Sequence, residues 1–65
     1  MHKELKDVLP SEKFKVHSKL NYYFIKGELN AILNEFNALC YTYDGKRWKN
    51  NDRFLKPFVI VKIID

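Results

Sequence analysis

Sixty-five residues carrying 12 lysines and arginines against 8 acids give a formal charge of +4, and a chain of this length makes one domain, residues 1–65, around a small core. No apolar run reaches the ~20 residues a bilayer span requires, and the N-terminus MHKELKDVLP lacks the apolar stretch of a secretory signal, so a cytoplasmic protein with no membrane partner is expected. Cys40 is the sole cysteine, which excludes an internal disulfide; one Cys with two distant His is not a zinc ligand set, and neither metal nor cofactor is expected.

In chain order, Lys3 to Leu9 suits one or two helical turns ended by Pro10, with Leu5, Val8 and Leu9 at spacings that face a core. Lys13 to Leu20 alternates: Phe14, Val16 and Leu20 point one way and Lys13, Lys15, His17 and Lys19 the other, as in a half-buried strand. Asn21 allows a turn, and Tyr22 to Lys26 reads as a second strand, pairing with the first as an antiparallel hairpin or continuing it as one bent strand.

From Glu28 the apolar residues Leu29, Ile32, Leu33, Phe36, Leu39, Cys40 and Tyr43 fall on one helical stripe, with Glu28 placed favourably for the helix dipole. If this helix runs to Tyr43, Gly45 caps it. If it stops near Leu39, Asp44-Gly45 becomes a type I′ hairpin turn joining CYTY to KRWK, which sets Tyr41 opposite Trp48 and Tyr43 opposite Lys46. The unbroken stripe favours the helix. Asn50 to Asp52 is a turn, and after Pro57 the run Phe58 to Ile64 is a strand apolar on both faces, which suits a central strand or one covered by a second subunit. The predicted fold class is α+β: an antiparallel sheet of about three strands packed on one amphipathic helix, in the order (α)ββαβ, with a homodimer as one way to close the second sheet face.

The chemistry concentrates in Gly45 to Lys56. Lys46, Arg47, Lys49, Arg53 and Lys56 oppose the single acid Asp52, so this segment holds the whole net charge of the chain, with Trp48 and Phe54 interleaved. Bases attract phosphates and aromatic faces stack on unpaired nucleobases, so the segment suits a nucleic acid. It equally suits an acidic protein surface, or a solvated loop whose Trp48 and Phe54 anchor in the core. Lys13, Lys15, His17 and Lys19 form a second candidate row, since alternate strand residues lie ~6.5–7 Å apart, near the phosphate spacing of an extended strand. The competing reading is an edge strand protected by lysines. Tyr23 points away from Tyr22 and Phe24; the three rings suit core or interface packing, although a tyrosine exposed beside the lysine row would offer a stacking surface.

Lys, Asn, Ile, Tyr and Phe supply 30 of the 65 residues. All five have AT-rich codons, so genome composition accounts for part of the basic character and fits a phage, plasmid or low-GC bacterium. Catalysis is not expected. His17 lies on a polar face with no partner at metal spacing, Cys40 falls on the apolar stripe, and Ser11 lacks nucleophile-elbow glycines. Two glycines, Gly27 and Gly45, cannot build a phosphate loop. The leading expectation is a small basic, non-enzymatic module that binds nucleic acid through residues 45–56 and the lysine row. The alternative is a regulator or inhibitor of the phage or mobile-element type that docks on an acidic surface of a host protein. A third is a homodimer assembled through the C-terminal strand.

Overall fold

The computed structural model describes residues 1–17 and 19–64. Six strands, β1 (His2–Glu4), β2 (Lys13–Lys15), β3 (Tyr22–Asn30), β4 (Glu35–Thr42), β5 (Arg53–Leu55) and β6 (Ile60–Ile64), form one sheet in the order β1-β6-β2-β3-β4-β5. Every neighbouring pair is antiparallel, and the sheet curls into a half-barrel. The protein is all-β. Among the described residues the helical pieces are two three-residue 3₁₀ turns, Leu5–Asp7 and Lys49–Asn51, so the expected α+β arrangement with an amphipathic helix from Glu28 is overturned.

The stripe that predicted a helix mixes a turn with a strand that carries apolar residues on both faces. Leu29 ends β3, while Ile32 and Leu33 sit in the turn Ala31 to Asn34, where Ile32 is 95% exposed. The Asn30 side chain accepts the backbone N–H groups of Ile32 and Leu33, and Asn34 takes the left-handed conformation at φ 53°. Both are turn roles that asparagine fills well. Beyond the turn, Phe36, Ala38 and Cys40 face the core while Leu39 and Tyr41 face the other way. A strand with apolar residues on both faces loses its period-two signal, and two such residues plus the turn mimic a helical spacing.

The core lies on one face of the sheet, here the inner face. Phe14, Phe24, Ala38, Cys40 and Val61 come from β2, β3, β4 and β6, and Leu5 and Val8 from the first 3₁₀ turn fold over them. Phe14 and Phe24 are cross-strand partners with ring centroids 5.8 Å apart. Fully burying each such side chain contributes about 1.5–3 kcal/mol. Two of the three residues expected to face the core from the N-terminal segment do so; Leu9 is exposed. That segment is pinned by Lys26, whose ammonium donates to the carbonyls of Lys6 and Val8 and lies 4.2 Å from the Phe36 ring centroid, and by the Lys3–Glu12 ion pair at 3.0 Å.

The β2–β3 hairpin was legible, although β2 stops at Lys15 where a strand to Leu20 was expected, and Ser18 within that range lies outside the described residues. A bulge interrupts β3–β4 pairing between Lys26 and Leu29. Gly27 sits there because a Cβ would come within 2.8 Å of the Asn37 carbonyl oxygen. After β4 the chain turns back as the hairpin alternative required. Gly45 N–H donates to Thr42 O, Thr42 N–H donates to Lys46 O, and Gly45 has φ 87°. This is a three-residue loop with a glycine bulge rather than a two-residue I′ turn, so the register slips by one and Tyr41 pairs with Arg47 instead of Trp48.

Candidate nucleic-acid interface

The five bases of residues 45–56 do not converge. Arg47 donates through both terminal nitrogens to Asp52, at 2.7 Å each, and its Nη1 also reaches Cys40 O at 3.0 Å. Asp52 in turn accepts the Cys40 backbone N–H at 2.7 Å, so the pair closes the edge of β4 beyond the end of β5. The Arg47 hydrogen bond holds the Asp52 carboxyl below its ordinary range, and the same bond raises Arg47. Lys56 pairs with Glu35 at 3.6 Å and donates to Leu33 O. Arg53 lies over Phe24 on the inner face and donates to the Tyr22 hydroxyl, and Lys46 lies 3.9 Å from Asp44 in an exposed, weak pair. Lys49 projects from the second 3₁₀ turn. Trp48 is 43% exposed and packs edge-on against Tyr22, centroids 5.4 Å apart, on the inner side of the fold. The segment that carries the net charge spends most of its bases fastening the fold.

The opposite, outer face of the sheet assembles a different group. Strand alternation sends Lys13 and Lys15 of β2, Tyr23 of β3 and Tyr41 of β4 to that face, and Tyr43 follows two residues beyond Tyr41. Tyr23 and Tyr41 are register partners with nearly parallel rings, 5.7 Å apart at 10°, and Tyr43 lies 6.0 Å from Tyr23. Each ring has a cation over it: Lys13 Nζ 5.0 Å from the Tyr23 centroid, Lys15 Nζ 4.9 Å from Tyr43, and the Arg47 guanidinium 5.2 Å from Tyr41. Such contacts contribute about 0.5–1 kcal/mol at exposed sites. Tyr23 is 7% exposed and forms the floor; Tyr43, 56% exposed, presents an open ring edge.

Register extends this cluster across the sheet. His2 pairs with Lys62, and Lys62 with Lys15. Continuing the Phe14–Phe24 register by one residue sets Lys15 level with Tyr23, which pairs with Tyr41, which pairs with Arg47. One transverse row therefore reads His2, Lys62, Lys15, Tyr23, Tyr41, Arg47. Five inter-strand steps of ~4.8 Å make it roughly 24 Å long. Among the described residues the acids near it include Asp52, tied to Arg47, Glu4, opposite Ile60 at the β1 end, and Asp44, next to Tyr43 in the loop after β4.

Of the residues singled out in the sequence, Lys13, Lys15 and Arg47 meet on the outer face. Lys19 lies exposed in the connection after β2, and Lys46, Trp48, Lys49, Arg53 and Lys56 lie elsewhere. Sequence reasoning missed Tyr41, Tyr43, Lys62 and His2. Under the hairpin alternative, alternation alone would have put Tyr41 and Tyr43 on the Tyr23 side, but His2 and Lys62 are joined only by pairing the two ends of the chain. Among the described residues no cluster of three or more His, Cys, Asp or Glu could hold a metal ion, and no helix is long and apolar enough to cross a membrane. Comparison with protein families, curated proteins and solved structures finds no match for this chain.

Proposed function

We propose that this protein is a small, non-enzymatic module that binds single-stranded nucleic acid across the outer face of its sheet. The observation that carries the reading is the three-tyrosine cluster with a lysine or arginine over each ring. A strand needs an aromatic surface for its bases and cations for its phosphates, and here Tyr23 and Tyr41 stand in one row between Lys15 and Arg47. Moving a lysine from its ring to a phosphate, in the case of Lys15 also away from Leu20 O, frees the ring for a base. A length of roughly 24 Å accommodates three or four nucleotides of an extended strand at about 6–7 Å each. A duplex lacks the unpaired bases that a tyrosine stacks on, so single strands are favoured over duplexes.

Contacts of this kind carry little sequence preference and depend steeply on salt. Lys13, Lys15 and Lys62 neutralising three phosphates correspond to a slope of log K against log salt of about −2 for a single strand. The test is fluorescence anisotropy of a labelled oligothymidylate of about ten nucleotides, measured over a salt series beside a duplex of equal length. Binding to the single strand with that slope, and weaker binding to the duplex, supports the reading. Equal binding to both, or none to either, contradicts it.

A further inference from the structure

A cavity of about 200 Å³ opens at the β1–β6–β2 end of the outer face, lined by His2, Lys15, Val16, His17, Ile60 and Lys62. Three strands converge there. His2, Lys62 and Lys15 are successive register partners across β1, β6 and β2, so their Cβ atoms stand about 4.5–5.5 Å from one neighbour to the next on the same face. Like charges set directly opposite one another destabilise a sheet, and among the described residues no carboxylate lines this cavity to offset them. The nearest acid by register is Glu4, opposite Ile60, one row away. Folding thus sets the exposed Lys62 ammonium beside two imidazoles and the Lys15 stem, a positively biased group of donors open to an anion.

The donors suit an oxyanion. His17 Nδ1 accepts the backbone N–H of Lys19 at 3.3 Å, which leaves the ring proton of the neutral imidazole on Nε2, a donor. Lys62 is exposed and supplies a full charge. The Lys15 ammonium donates to Leu20 O at 2.6 Å and lies over Tyr43, so its stem walls the cavity while its head belongs to the tyrosine cluster; the same residue joins the two sites. The open cavity of about 200 Å³ has room for a phosphate group with part of its hydration. Val16 and Ile60 add apolar wall.

We infer that this cavity is a phosphomonoester site, taking a phosphate group of charge near −2 rather than an internal phosphodiester of charge −1. The inference rests in part on the strand-binding reading, because a strand lying along the transverse row would deliver its terminal phosphate here; a free small phosphate offers the same chemistry. Two measurements separate these sources. The first titrates inorganic phosphate into the protein and follows the ring signals of His2 and His17 by NMR, in the wild type and in Lys62→Gln. The second compares anisotropy of oligothymidylates bearing a 5′-phosphate, a 3′-phosphate or hydroxyl ends.

The expected result is that phosphate moves both histidine signals, that Lys62→Gln weakens this at least fivefold, and that one phosphorylated end binds at least fivefold tighter than hydroxyl ends. Histidine signals that stay in place while hydroxyl-ended strands bind normally overturn the phosphate site and leave the strand reading standing. Histidine signals that respond while no strand binds support the site, assign it to a free phosphate and contradict the strand reading. Lys62 is exposed and its side chain makes no hydrogen bond among the described residues, so the variant folds; His17→Gln, which lies outside any strand, provides an independent second variant with the same expected loss.

Discussion

The segment 45–56 and the outer sheet face both hold bases beside aromatic rings, but they use them in opposite ways. In the segment, charge is dense in sequence and dispersed in space: Arg47 is locked to Asp52, Lys56 to Glu35 and Leu33 O, and Arg53 to Tyr22. On the outer face, charge is sparse in sequence and gathered in space, with His2, Lys13, Lys15 and Lys62 drawn from both ends of the chain. A run of charge in a sequence reports composition, whereas a surface is set by register. In so small a domain, where stability is only a few kcal/mol, bases near a turn are available to fasten backbone groups that the short strands leave unpaired.

This contrast is open to attack from either side. The largest effect falls on the segment: Asp52→Ala removes the acceptor of the buried Cys40 N–H and the partner of Arg47, and a stranded buried N–H costs about 1–3 kcal/mol. Thermal unfolding should show Tm lower by on the order of 10 °C, while the folded fraction still binds the strand. The same carboxylate governs acid stability. Its pKa is held down in the folded state by the Arg47 hydrogen bond, so its contribution is complete above the unfolded value near 3.9 and is lost as pH falls through the lower folded value. Asp52→Asn should therefore lose less stability than the wild type between about pH 5 and pH 2, read by urea midpoints. Glu12, lowered first by the Leu9 N–H and then by Lys3, follows the same sign.

Next in size is Tyr43→Ala on the outer face. Loss of a stacked base costs about 1–3 kcal/mol of binding, about fivefold or more in Kd by anisotropy, with unfolding free energy within about 1 kcal/mol of wild type because the ring is exposed and gives up mainly the Lys15 contact. A smaller change belongs to Lys13→Gln and Lys15→Gln, each expected to weaken binding a few-fold and to flatten the salt slope by about 0.7. The smallest is Lys49→Gln, which should alter neither stability nor affinity beyond about 0.5 kcal/mol. A Lys49 effect as large as that of Lys13 would erase the distinction between the two regions.

The parts of the fold legible in the sequence were those with a clean alternation or a continuous run of β-branched and aromatic residues. Phe14 alternating with Lys13 and Lys15 marked β2, Tyr22 to Lys26 marked the start of β3, and Phe58 to Ile64 marked β6. β4 was not legible, because Leu39 and Tyr41 lie on the outer face while Phe36, Ala38 and Cys40 face the core, so both faces of the strand are apolar. The turn before it hides among apolar residues: Ile32 and Leu33 look like helix positions and are exposed, and the informative letters were Asn30 and Asn34. β1 and β5, three residues each, are too short for any periodicity. Half of the site was visible as Lys13, Lys15 and the opposed direction of Tyr23; the rest depends on β1–β6 pairing, a contact between residues some sixty positions apart that no local pattern announces.

Backbone amide shift mapping by ¹H–¹⁵N NMR, with an oligothymidylate added at low salt, tests the central claim most directly. Perturbations confined to Lys13, Lys15, Tyr23, Tyr41, Tyr43 and Lys62 and their neighbours, with Lys49 to Lys56 unmoved, are the result this account requires. Perturbations concentrated in Lys49 to Lys56, with the outer face silent, would contradict it.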